Sequence, residues 1–117
     1  MSQNLTRGKW GEQIACGHLK KLGYQIVEQN FRSRFGEIDI IARHNDVIVF
    51  VEVKTRASHS MVSGAESITP AKQKKMRNTA KLYLTGFSNM PFVRFDVIII
   101  EADGRTVKSI ELIDDAF

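Results

Sequence analysis

The chain has 117 residues, 43% of them hydrophobic and 26% charged, the make-up of one ordinary globular domain able to bury its own core. A single cysteine, Cys16, excludes an internal disulfide framework and a cysteine-rich zinc site, and no apolar run reaches membrane-spanning length or forms a signal-peptide core, so a cytoplasmic protein is expected. Seventeen basic against 13 acidic residues leave a net charge of +4 and a pI of about 9.4, which suits a polyanionic partner and equally a soluble protein that is simply basic.

Thr6 to Leu22 predicts an amphipathic helix with Thr6 as N-cap and Gly23 as its stop. Trp10, Ile14, Ala15, Leu19 and Leu22 make its apolar arc, and Glu12 falls beside Leu19. Glu12 is therefore either an edge residue near the helix start, where the macrodipole favours a carboxylate, or an inward acid that something must satisfy. Tyr24 to Asn30 alternates as a strand. The segment Phe31-Arg32-Ser33-Arg34-Phe35 reads as a loop with two arginines between two aromatics. Its arginines can grip phosphate, and its phenylalanines either stack on bases or dock on the core.

Two runs rich in β-branched residues follow, residues 36–43 and 47–54, separated by His44-Asn45-Asp46, the pattern of a β-hairpin. The second run is apolar on both faces as far as Val51, as in a central strand. If Asn45-Asp46 is the two-residue turn, His44 pairs with Val47, and counting back sets Asp39 across from Glu52. Glu52 and Lys54, two apart, point to one face. Carboxylates opposite each other in a sheet repel, their Cβ atoms about 4.5–5.5 Å apart, so the pair requires a compensating charge. Lys54 supplies one; a divalent cation such as magnesium, which prefers oxygen ligands, would supply more. A register slip of one residue would turn Asp39 away.

The polar stretch from Ala57 to Ser67 reads as a loop, in which the lone His59 is a solvated residue rather than a ligand. Thr69-Pro70 starts a second helix running to about Thr85 and ending at Gly86. Gln73 lies within its apolar arc of Met76, Ala80, Tyr83 and Leu84. Lys74, Arg77 and Lys81 gather on a neighbouring face, either solvated or tracking a phosphate backbone, while Lys72 and Lys75 fall elsewhere. Phe92 to Glu101 is an apolar strand, Asp103-Gly104 a turn, and Val107 to Ile113 the returning strand. Asp96 is a lone carboxylate in that apolar run, either structural or part of a site. The order helix, three strands, helix, two strands predicts an α/β fold with a single mixed central sheet flanked by helices.

Glu-x-Lys alone is common by chance, and its specificity comes from its company. Asp39, then Glu52-Val53-Lys54, in this order of elements, resembles the PD-(D/E)XK nuclease superfamily, whose fold is restriction-endonuclease-like. Glu12 matches the upstream helical acid of its Holliday-junction-resolvase-like branch, and Gln73-Lys74 resembles a helical motif of many members. Ile38 stands where the superfamily's first motif has proline. Gly11-Glu12, Gly36-Glu37-Ile38-Asp39, Val49 to Arg56 and Arg94-Phe95-Asp96-Val97 together resemble the bacterial UPF0102 family over roughly the first hundred residues.

That resemblance implies a nuclease-like domain over residues 1–117 and a metal-dependent endonuclease acting on DNA, selective for branched structures in repair or recombination. Asp39, Glu52 and Glu12 would hold one or two Mg²⁺ (or Mn²⁺) ions, and Lys54 would orient the attacking water or stabilise developing charge. Gln73 would position Lys54 or a water, with Glu37 supporting Asp39. Arg32, Arg34, Arg56 and Lys74 would hold the nucleic acid. Junction-cutting relatives use two sites for two strands, so a homodimer is compatible with the resemblance. The competing reading is a non-catalytic nucleic-acid-binding module that keeps the fold. Carboxylates near phosphate count against it, because they repel DNA unless a cation intervenes. No sequence feature favours an RNA-directed or protein-interaction role, and a Ser/His/Asp or Cys/His hydrolase lacks a glycine-flanked nucleophile.

Overall fold

The computed structural model describes residues 5–58 and 68–117. His59 and the rest of the polar stretch through Ser67 lie outside the described residues. The elements are α1 (Arg7–Lys21), β1 (Gln25–Ser33), β2 (Gly36–His44), β3 (Val47–Ala57), α2 (Pro70–Leu84), β4 (Phe92–Asp103) and β5 (Thr106–Ile113).

Both helices begin as their sequences predict. The Thr6 hydroxyl accepts the Lys9 N–H and the Thr69 hydroxyl accepts the Lys72 N–H, each at 3.1 Å, satisfying donors that a helix start leaves orphaned. Pro70 opens α2, where its missing N–H removes no bond. α1 ends at Leu22 and Gly23, the latter at φ 91. Leu22 departs from the expected apolar arc: it caps the helix rather than continuing it and is half exposed.

The five strands form one mixed sheet in the order β1-β2-β3-β4-β5. Among the described residues only the β3–β4 pair is parallel, and α2 lies in the crossover such a pair needs. The β2–β3 turn is as predicted, with His44 paired to Val47 and Asn45 at φ 56. Two boundaries differ from expectation. Phe31 to Ser33 is strand, not loop, because Phe31, Arg32 and Ser33 pair with Ile38, Glu37 and Gly36. The last turn falls one residue later, at Gly104-Arg105, since Asp103 pairs with Thr106.

The period of two sorts the core onto two faces. Val49, Val51, Ile98 and Ile100 meet Ala15 and Leu19 of α1, while Ile48 and Phe50 meet Ala80 and Leu84 of α2. β3 is thus buried on both sides from Ile48 to Glu52, which makes it the rigid reference of the fold. Phe31 docks on this second face, edge-on to Tyr83 at 5.2 Å, so of its two expected roles the core has it. Among the described residues no helix is long and apolar enough to cross a membrane.

Candidate active site

The site forms where β2 leaves β3. Ladder pairing runs from His44 and Val47 to Ile40 and Val51 and there ends. At the next position Oδ2 of Asp39 accepts the Val53 N–H at 2.8 Å, a side chain taking the place of a main-chain carbonyl. Asp39 also shares a hydrogen bond with Glu52, the neighbour its register predicts. Burial above all, then the bond to Glu52 and its charge, push the Asp39 carboxyl up to about 8, against the Val53 N–H, which favours the anion.

α1 brings Glu12 to this point because Gly11 lets the helix lie against β3. A Cβ on Gly11 would collide with Oγ1 of Thr55. Carboxylate oxygens of Glu12, Glu37 and Asp39 lie within 4.8 Å of one another. Glu12 is therefore inward rather than solvated, its side chain 13% exposed, with Lys9 Nζ at 3.6 Å. Its Oε1 is buried without a hydrogen bond among the described residues. Glu37 accepts from Arg32 Nε at 2.8 Å. On β1, Asn30 stands opposite Asp39, between the pairs Gln29–Ile40 and Phe31–Ile38. It adopts φ 55, and its Oδ1 is buried with no hydrogen-bond partner among the described residues.

Glu52 ends the buried run of β3 and is only 4% exposed. Its Oε2 lies 4.0 Å from Lys54 Nζ and is ion-paired with Lys72 Nζ. The charge of Lys72 also acts on Lys54. Burial, then Lys72, lowers the proton affinity of Lys54. Burial pulls Lys72 down as well, but Glu52, by contact and charge, and the charge of Asp39 act against this, and Lys72 stands above its ordinary value.

The structure thus brings Glu12, Asp39, Glu52 and Lys54 together with Glu37, and adds two residues that the sequence reading did not place there, Asn30 and Lys72. The available signal for Lys72 was its position four residues before the buried Met76, on the inward side of α2. Gln73 sits in the same turn, but its Nε2 donates to the Ile68 carbonyl at 3.2 Å. Arg32 pairs with Glu37 at the rim, and exposed Arg34 lies over the Phe35 ring at 4.9 Å. Lys74 is exposed on α2. Arg56 is ion-paired with Glu101 across the β3–β4 pair at 2.7 Å. Asp96 proves structural. It is fully buried and accepts from Arg94, Tyr24 and the Asp115 N–H.

The donor set fits a hard divalent cation. It consists of three carboxylates from α1 and β2, with Glu52 of β3 beside them; Glu12 Oε1 is buried and without a hydrogen bond among the described residues, and the Asp39 carboxyl is pushed up to about 8. Comparison with known proteins gives a consistent assignment. The family model described as "Uncharacterised protein family UPF0102" matches residues 11–100. A UPF0102 protein of Syntrophus aciditrophicus is 47% identical over 118 residues, covering 100% of this chain and 92% of that protein. One from Syntrophomonas wolfei is 43% identical, covering 88% and 91%, and one from Clostridium botulinum is 46% identical, covering 97% and 95%. The matched stretch holds every acid of the site as well as both lysines, and this chain belongs to the UPF0102 family.

Proposed function

We propose that the chain is a metal-dependent nuclease that hydrolyses phosphodiester bonds in DNA, with Glu12, Glu37, Asp39 and Glu52 as its metal-binding acids. The observation that carries this reading is the convergence of three carboxylates within 4.8 Å beside a buried fourth that touches two lysines. A binding surface for DNA has no physical reason to gather acids in this way, since each one repels phosphate.

A bound Mg²⁺ or Mn²⁺ ion supplies Lewis acidity and a source of hydroxide at neutral pH. The chain's own residues supply the rest. The Val53 N–H fixes the orientation of Asp39. Lys54, with its proton affinity lowered, accepts a proton from the attacking water or steadies charge on the phosphate. Arg32, paired with Glu37 at the site, and the exposed Arg34 and Lys74 would hold the strand, whereas Arg56 contributes less because Glu101 engages it. The inward Glu12 supports branched DNA as the preferred substrate, through the resemblance noted above to junction-cutting nucleases, and two copies would then serve two strands. The nuclease unit would be the whole of residues 1–117.

The test is cleavage of labelled branched and linear DNA with Mg²⁺ or Mn²⁺. Wild type is expected to cut and EDTA to stop it, with Asp39→Asn, Glu52→Gln and Lys54→Ala each losing roughly 10²–10⁴-fold. Equal DNA binding by wild type and variants, with no cleavage and no metal dependence, would instead establish a binding module.

A further inference from the structure

The site is divided by charge. On one side stand Glu12, Glu37 and Asp39, with Lys9 and Arg32 at their outer edge. On the other side Lys54 and Lys72 converge on the single carboxylate Glu52. Glu52 is buried, its side chain 5% exposed, while the lysine side chains are 28% and 37% exposed. Both lysines therefore reach from a buried anion to partly exposed positions. Both Nζ groups lie within 4.0 Å of one Glu52 oxygen, and when both carry a proton such a pair of cations repels strongly outside bulk water. A tether from α2 to the sheet would need only one of them.

The geometry points to an anion site at Lys54 and Lys72, and we propose that Lys72 holds the phosphate group on which the chain acts. The inference rests on the nuclease reading for the identity of the phosphate, but it adds a residue and a role. A phosphate group placed across the site meets ammonium groups on one side, and on the other the acids that a cation would neutralise. Such recognition by lysine is that of a point charge, tolerant of the orientation of the phosphate oxygens. Gln73, whose side chain caps the Ile68 carbonyl at the entry to α2, is then the structural member of the pair, and Lys72 the functional one.

The experiment uses the full chain with Mg²⁺ present and inorganic phosphate as the probe, followed by amide chemical shifts. Wild type is compared with Lys72→Met, which keeps the aliphatic stem, with Lys72→Arg, which keeps the charge, and with Lys81→Gln on the exposed face of α2. Phosphate is expected to shift the amides around residues 52–54 and 72 in wild type. Its affinity should fall about tenfold in Lys72→Met, recover in Lys72→Arg, and remain unchanged in Lys81→Gln. DNA cleavage should fall roughly 10²-fold in Lys72→Met at an unchanged melting temperature, the size of effect expected from losing one charge-stabilising donor. Wild-type cleavage by Lys72→Met with unaltered phosphate binding would overturn the inference and leave the nuclease reading intact. Lysine-dependent phosphate binding without any cleavage would retain the anion site and remove the nuclease. Absence of phosphate shifts in wild type, or their presence only at residues remote from the site, also overturns the inference.

Discussion

The Asp39 carboxylate accepts the Val53 N–H at 2.8 Å, one position beyond the last pair of the β2–β3 ladder. This contact lets β2 part from the most buried strand while its acid stays fixed to it. The opening admits Glu12 from α1 and Lys72 from α2, so four elements meet at one point. Four consequences can be measured.

Asp39 keeps its proton to about pH 8 in the fold, whereas an unfolded aspartate loses it near 4. Between these values the folded state binds more protons than the unfolded state, so this group makes stability fall as pH rises. In EDTA the contribution should approach 1.4 kcal/mol per pH unit, a slope of roughly 2.3RT, and it should end above about pH 8. Urea titrations from acid to alkaline pH should show the slope in wild type and its loss in Asp39→Asn. Parallel pH profiles for the two proteins would contradict the buried, shared proton.

The same proton must leave for a cation to bind. Apparent Mn²⁺ affinity should rise up to about tenfold per pH unit below pH 8 and then level off. Calorimetry in buffers of differing ionisation enthalpy should detect about one proton released at neutral pH and almost none well above 8. Glu12→Gln and Glu37→Gln should each weaken binding. If Glu37→Gln binds Mn²⁺ as wild type does, Glu37 merely holds Arg32.

Gly11 is a contact glycine and Gly17 is not. A Cβ at Gly11 would strike Thr55, while one at Gly17 meets nothing within 4 Å. Gly11→Ala should cost about 1–3 kcal/mol through overpacking and weaken Mn²⁺ binding by shifting Glu12. Gly17→Ala should stabilise the helix by about 0.5–1 kcal/mol. Adding Thr55→Ala to Gly11→Ala should restore most of the loss, because the remaining neighbours, Cβ of residue 55 at 3.5 Å and Cδ1 of Ile100 at 3.9 Å, lie at ordinary contact distance. Thermal melts of wild type, the two glycine variants, Thr55→Ala and the double variant decide this, and additivity of Gly11→Ala and Thr55→Ala would exclude the contact.

Asp96 depends on Arg94, which reaches it through Nε at 2.9 Å and Nη2 at 3.0 Å. Arg94→Met would leave a fully buried carboxylate without its cation, a loss of about 3–5 kcal/mol. Tyr24→Phe removes the 3.2 Å hydrogen bond to Asp96 and the 2.5 Å one accepted from Arg94 Nη2, and should cost about 1–2 kcal/mol. Denaturation curves should show the larger loss in Arg94→Met, with Mn²⁺ affinity unchanged in both. A loss of Mn²⁺ affinity in Tyr24→Phe would mean that Asp96 belongs to the site after all.

Much of this architecture was legible in the chain. The threonine caps, the proline at the start of α2, the two-sided apolar run of β3 and the Asn45-Asp46 turn are local devices, and local geometry realises them. The turn fixes register, so Asp39 beside Glu52 followed from counting residues. The end of β1 was not legible in this way. Phe31 to Ser33 carries loop-like chemistry, and it becomes strand because β2 offers paired backbone and Tyr83 offers a surface for Phe31.

The sequence by itself determined which elements form, the face each acid takes along its strand, and the family to which the chain belongs. Only the tertiary structure decided that Glu12 points inward, that Glu37 joins the acids, that Asp96 is structural, and that Lys72 rather than Gln73 reaches Glu52. The physical reason is range. Periodicity and capping act over one turn or one rung, whereas the approach of α1 and α2 to the sheet is set by packing between residues far apart in sequence, such as Gly11 against Thr55 and Met76 in the core. A helical lysine's partner is chosen at that level.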